Sequence, residues 1–220
     1  MAIYSNGIST KETILQTARE LFFTQGYETT TTRQISRLSQ ANLGLIKYHF
    51  NTKANIGLNI YQEITDALSG WADNVSDNDT EKLLLANAAE IKLAFSSHEF
   101  ARFYAELFEE PQVMDLYMEE LGKVIPKTYV PKRRVIGADH TLFIQICLSA
   151  TKVNIIHYLA PRPDQIDNLS FFLMDCIQLY IELFNLENMD ELQQRCLACL
   201  DQYHFSLSPD MTLEITKKPE

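Results

Sequence analysis

The chain has 220 residues, a net charge of −10 and 46% hydrophobic residues. That is enough for a small head on a larger body with a full core. Glycine and proline number seven each, and no Val/Ile/Thr-rich alternation runs for long, so an all-α fold is expected and a β architecture is excluded. The N-terminus lacks a basic-then-apolar leader, and Asn154, His157, Asp175 and Glu182 interrupt the apolar stretches. The four cysteines lie in helical patterns, so the reading is a reduced, cytoplasmic protein with no membrane span.

The charge is unevenly spread. Residues 1–60 hold six basic residues (Lys11, Arg19, Arg33, Arg37, Lys47, Lys53) and three acids (Glu12, Glu20, Glu28), a net of +3. The remaining residues carry −13. A basic end on an acidic chain turns that end toward phosphates.

In chain order, Ser9-x-x-Glu12 reads as a capping box opening a first helix. Ile14, Leu15, Ala18, Leu21 and Phe22 recur on one face of it, and Gly26 stands as a left-handed cap at its end. Thr31-x-x-Gln34 opens a second helix to Ser39, with Ile35 and Leu38 inward. A three-residue turn, 40–42, leads to a third helix over 43–49 capped by Asn42. Two helices joined this tightly cross steeply and present the later one on the surface, the helix-turn-helix arrangement. Thr52 opens a long helix ending near Trp71.

The polar stretch 72–80 reads as a loop. Helices are expected over 81–96, over 98–110 and from Pro111 to before Pro126, with a loop over 126–138 that includes the solvated run Lys132-Arg133-Arg134. Further helices are expected over 139–159, 164–184 and from about 188 to 205. The reading is a head (1–51), a helical body (52–207) and a tail (208–220) without fixed structure. That gives about nine to ten helices.

The run Gly26-Tyr27, Thr30-Thr31-x-Arg33-x-Ile35, Gly44-x-x-x-Tyr48-His49-Phe50-x-x-Lys53 resembles the tetracycline-repressor (TetR) family of bacterial regulators. It covers about 50 residues; the rest agrees only in helix number, length and order. The resemblance implies a homodimer joined through the helices at about 139–159 and 164–184. It also implies a double-stranded, palindromic DNA operator, and a body that binds a small effector whose arrival releases the operator. Gln40 and Ser39 stand where the family usually has Gly and Ala, Leu43 and Leu45 where polar residues are common, and Lys47 where Tyr is most frequent. These departures bear on the operator sequence rather than on DNA binding.

The candidate DNA contacts are Thr31, Thr32, Arg33, Leu43, Gly44, Lys47, Tyr48, His49 and Lys53. Thr31 and the start of its helix suit a phosphate. Gly44 permits close approach. Lys47 offers a charge, Tyr48 a hydroxyl and a ring, and His49 a ring N–H. Leu43 and Leu45 offer only contact with a thymine methyl. For the effector pocket the candidates are Phe103, Tyr104, Tyr117, Asn154 and His157, since such pockets are apolar with few polar anchors. The aromatics can equally be core, and Asn154 and His157 can bond across a dimer interface.

An apolar or aromatic, uncharged effector is expected. No cofactor or metal is implied: Cys196-x-x-Cys199 lacks a second ligand pair. An activator, or a regulator without a small ligand, stays open beside the repressor. An all-α enzyme would need a titrating polar cluster in the body, and the sequence shows only scattered His and acids, so the chain is not read as an enzyme.

Overall fold

The computed structural model describes residues 9–128, 138–183 and 189–219. Among them are ten α-helices and a two-stranded antiparallel sheet. The head comprises α1 (Thr10–Gln25), α2 (Thr32–Ser39) and α3 (Leu43–Phe50). The body follows with α4 (Lys53–Val75), α5 (Asp79–Ser96), α6 (His98–Phe108), α7 (Pro111–Thr128), α8 (Ala138–Asn154), α9 (Leu169–Leu183) and α10 (Met189–Asp201). A π turn, Ile155–Leu159, extends α8, and a 3-10 turn, Pro163–Gln165, precedes α9. The chain closes with β1 (Tyr203–Leu207) and β2 (Leu213–Lys217).

Local chemistry fixes the head. Ser9 Oγ accepts the Glu12 N–H, but the reciprocal half of the expected capping box is absent because the Glu12 carboxylate pairs with Arg19 at 3.0 Å. The second box is complete: Thr31 Oγ1 accepts the Gln34 N–H, and Gln34 Oε1 accepts the Thr31 N–H at 2.8 Å. Ile14, Phe22, Ile35, Ile46 and Phe50 close a dry core between the three helices. Gln40 takes the left-handed conformation at φ 57°, ψ 15°, at a cost of about 1 kcal/mol for a non-glycine. Gly26 departs from expectation. At φ 94°, ψ 162° it is extended with positive φ, a conformation that only glycine adopts readily, and it is not a left-handed helix cap.

Other differences have physical causes. Leu38 is 54% exposed; a short helix offers one inward stripe, and Ile35 with Ser39 occupies it. The polar stretch 72–80 is mostly helical, since α4 runs on to Val75 and Asn78 caps α5 through the Glu81 N–H. α7 continues past Pro126 to Thr128 beside α8. The run Lys132-Arg133-Arg134 lies outside the described residues.

The tail expected to lack structure, residues 208–220, contributes a strand. β1 pairs with β2 in the register Phe205↔Ile215. Phe205 is fully buried, with its ring 5.0 Å from that of Trp71. Alternation puts Tyr203, Phe205 and Leu207 on one face of β1, and burial of Phe205 ties the hairpin to the body.

α5 is the body's central helix, touching α4, α6, α9, α10 and β1. Head and body are joined along α4 and α6. Phe22 stacks on Phe103 at the seam, with the Tyr27 ring tilted against the first and edge-on to the second. Arg102 donates to the Phe22 and Phe23 carbonyls at the end of α1, and Glu106 accepts the Glu28 N–H at 2.8 Å.

Candidate functional site: a nucleic-acid interface and a cleft in the body

The outer face of the head is built from α2 and α3. Ile46 and Phe50 point inward, so helical spacing turns Leu43, Gly44, Lys47 and Tyr48 outward. Tyr48 is 82% exposed, its ring touched edge-on by that of His49, an unusual position for a large aromatic. A Cβ at Gly44 would meet the Asn42 side chain at 3.0 Å and nothing on α2, so this exposed glycine is not packed on α2. Thr31 and Arg33 are exposed and Thr32 half-exposed at the start of α2. Among the described residues Arg33, Arg37 and Lys47 have no carboxylate partner, while Arg19 is spent on Glu12 and Glu63. The positive charge of the head therefore gathers on this face.

Two candidates sit differently from the rest. His49 is half-buried beside Tyr48, and it walls a cleft in the body as well as ending the recognition face. Lys53 turns back: its ammonium donates to the Tyr27 carbonyl at 3.0 Å and lies 4.0 Å over the Tyr27 ring. Burial lowers its pKa against the pull of Glu110, Glu106 and Glu28. It braces the seam in this structure.

The cleft, about 660 Å³, lies between α4, α5, α7 and α8 and reaches the end of α3. Of the five residues expected to line it, only Tyr117 does. Phe103 is fully buried at the seam. Tyr104 is fully buried behind the cleft, stacked on Phe108 with centroids 4.3 Å apart. Asn154 is exposed and donates to the Ala150 carbonyl, and His157 lies half-exposed, 3.8 Å from Glu109. Asn154 closes α8 where the helix widens into its π turn, so the i, i+3 spacing does not carry these two into the cleft.

Sequence reasoning missed the polar heart of the cleft. Lys152 and Glu90, 5% and 3% exposed, form an ion pair at 2.8 Å. Lys152 also donates to Asn87 Oδ1 at 3.1 Å, Tyr61 donates to Glu90 at 2.7 Å, and Tyr180 donates to Asn87. The Tyr117 ring lies edge-on to that of Tyr61, with centroids 6.3 Å apart, and the Lys152 ammonium is 5.8 Å from its centroid. Burial works against the Lys152 charge, but Glu90 and the surrounding phenols outweigh it and hold its pKa well above the ordinary lysine value. Burial raises the Tyr61 and Tyr104 phenols far above theirs, so both stay neutral. The available signal was charge out of place: Glu90 and Lys152 each interrupt an apolar helical face. Their pairing joins positions 62 apart in sequence, which no local pattern shows.

Burial pushes the Cys176 and Cys196 thiols up to about 12, and all four cysteines are free. Among the described residues no group of three His, Cys, Asp or Glu could hold a metal.

A compact three-helix core that projects a basic, aromatic helix from a tight turn defines a helix-turn-helix DNA-binding head. Residues 14–58 match the family described as bacterial regulatory proteins, tetR family, and the head of this chain is a tetR-family DNA-binding domain. The chain is 48% identical over 50 residues to the HTH-type transcriptional regulator QacR of Staphylococcus aureus, covering 23% of this chain and 27% of that protein. It is 26% identical over 134 residues to the probable HTH-type transcriptional regulator YttP of Bacillus subtilis, covering 59% and 61% respectively. The chain thus spans less than two thirds of either relative's length. Among solved structures, NalD of Pseudomonas aeruginosa, the secondary repressor of the MexAB-OprM multidrug efflux pump, is similar at a TM-score of 0.47 and 16% identity. That match covers 76% of this chain and 93% of NalD.

Proposed function

We propose that the chain is a dimeric transcriptional repressor, working in the cytoplasm, whose head binds a palindromic duplex operator and is released by a small apolar or aromatic effector in the body cleft. The observation that carries the reading is the outer face of α2 and α3, which exposes Arg33, Arg37 and Lys47, with no carboxylate partner among the described residues, together with Tyr48. Phosphates suit the cations and Thr31. Base edges and thymine methyls suit Tyr48, Leu43 and Leu45.

Dimerisation rests on the apolar face of α8 and α9. Leu142 and Ile146 are each 50% exposed and Phe171 64%, a patch that a second copy would cover. The window Leu142–Leu159 is apolar enough, at mean hydropathy 1.3, to pass for a membrane span. Its Lys152, however, is bound inside the body to Glu90, so one face of α8 already belongs to the core. Two heads held by such a dimer would meet two half-sites about one helical turn of DNA apart. An effector that fits the cleft better in the DNA-incompetent arrangement shifts the population away from operator binding.

The test is an anisotropy titration of the full chain with duplex from its own upstream intergenic region against random duplex, at fixed salt. The reading expects at least about 10³-fold tighter binding to the former, with sedimentation showing a dimer. Equal affinity for both duplexes would overturn it.

A further inference from the structure

The cleft has a defined shape and polarity that narrow its occupant. Its long wall is α4, from Asn55 at one end to Ser69 at the other. Fourteen residues of helix rise span about 21 Å, so the space is a groove along α4 and not a round cavity. Along this wall runs a polar stripe at helical spacing, Asn55, Asn59, Gln62, Thr65 and Ser69. The Asn55 amide donates to the Phe50 carbonyl, Asn59 to the Asn55 carbonyl and Gln62 to Asp66. Among the described residues the side-chain carbonyls of Asn55, Asn59 and Gln62 accept no hydrogen bond. The facing wall, from α5 and α7, offers Leu83, Ala86, Leu116 and the Tyr117 ring; its polar groups, Asn87 and Glu90, are bonded to Lys152, and Glu90 also to Tyr61.

The charges lining the groove are already neutralised within the protein. Glu63 is held by Arg19, and Glu90 by Lys152 and Tyr61. A ligand charge placed against the buried Glu90–Lys152 pair would find no free counter-charge there, and competing for either partner would strand the other in a buried site. At its near end the groove is walled by His49 and Phe50, the last residues of the recognition helix.

We propose that the groove along α4 binds an elongated molecule without net charge. One side of this molecule is apolar, for the α5–α7 wall, and the other carries hydroxyl or amide donors for the open carbonyls of Asn55, Asn59 and Gln62. Its end abuts His49 and Phe50. This rests on the effector reading above and deepens it: the occupant touches the recognition helix itself, so occupancy and DNA binding compete at His49 as well as through movement of α4.

The experiment is calorimetric titration of the full chain with 1-lauroylglycerol, a neutral amphiphile with two hydroxyls, below its micelle concentration. Dodecanoate and dodecylammonium serve as charged congeners. The neutral probe is expected to bind at least tenfold more tightly than either congener. Ser69→Trp, at an exposed helix position that tolerates substitution, is expected to weaken the probe at least tenfold by filling the far end, and Ala86→Phe to do the same from the opposite wall. Circular dichroism melting establishes that both variants fold. Saturating duplex should weaken the probe by the factor by which the probe weakens duplex, since coupling is reciprocal.

No binding of the neutral probe, a charged congener that binds as well, or two folded variants that bind like wild type would each overturn the assignment. Unchanged probe affinity in the presence of duplex would overturn the contact with His49. Sequence-selective DNA binding measured on the same preparation separates the two readings. If it persists without probe binding, only the groove proposal falls; if selectivity is absent, the repressor reading falls.

Discussion

The head and the body handle polar groups in opposite ways. In the head, Lys47 and Arg33 stand outside a small dry core, without a carboxylate partner among the described residues, beside the exposed Tyr48, available to a ligand that brings its own charge. In the body, Glu90 and Lys152 are inside, with their hydrogen bonds taken by each other, by Tyr61 and by Asn87. The first arrangement suits a polyanion that must bind and leave. The second suits a rigid wall for an uncharged guest. The contrast explains how a chain of net charge −10 can still carry a DNA-binding face: what matters is where the positive groups are left unpaired.

The largest expected effect probes the interior side of this comparison. Glu90→Leu leaves Lys152 buried and unpaired and should cost about 3–5 kcal/mol in urea unfolding, whereas Glu90→Leu with Lys152→Met should recover most of it. A double variant as unstable as the single one would mean that the pair is not the unit that matters. The pH dependence has a definite sign. Because the folded-state pKa of Lys152 is raised, its contribution is complete below the ordinary lysine value near about 10.4. It is lost only as pH rises through the folded value. Unfolding across neutral pH should therefore show no loss from this pair.

Next in size is the seam. A Cβ at Gly57 would come within 2.6 Å of Leu107 Cδ1 and 3.0 Å of the Tyr27 ring, both fully buried. Gly57→Ala gains about 1 kcal/mol of helix propensity but overpacks a filled site by about 1–3 kcal/mol. We expect a net loss, seen as a lower Tm; a higher Tm would show that the seam is loosely packed. Tyr104 offers a smaller effect of opposite sign. Its hydroxyl is buried with no hydrogen-bond partner among the described residues, so Tyr104→Phe should leave stability unchanged or raise it by up to about 1 kcal/mol. A clear loss would reveal a partner for that hydroxyl. Smallest is Gln40→Gly, which relieves the left-handed turn and should add about 0.5 kcal/mol, checked by the same denaturation.

The same contrast governs what the sequence revealed. The head was legible because its signals are short-range: Thr31 with Gln34, Asn42 with Leu45, and the spacing of Ile35, Ile46 and Phe50 all lie within a few turns of helix. The body's helices were legible as elements, because apolar periodicity is local too. Its functional interior was not. Asn154 and His157 looked suitable by residue type, yet the end of α8 and the π turn leave them outside, while Lys152, two residues earlier, faces in. That Lys53 turns back was not legible, because Tyr27, which folds beneath it, lies 26 residues earlier. The closing strand hid in a segment that looked like a polar tail, although Leu213 and Ile215 alternate as a half-buried strand does.

The central claim is that the outward face of α3 is the surface that meets DNA. The most direct measurement is the salt dependence of binding to a duplex selected by the wild-type chain, for wild type, Lys47→Ala and Tyr48→Ala. The account predicts that Lys47→Ala weakens binding and lowers the slope of log K against log salt by about 1, because one phosphate is left without its cation. It also predicts that Tyr48→Ala weakens binding with little change of slope. Wild-type affinity and slope in both variants would contradict it.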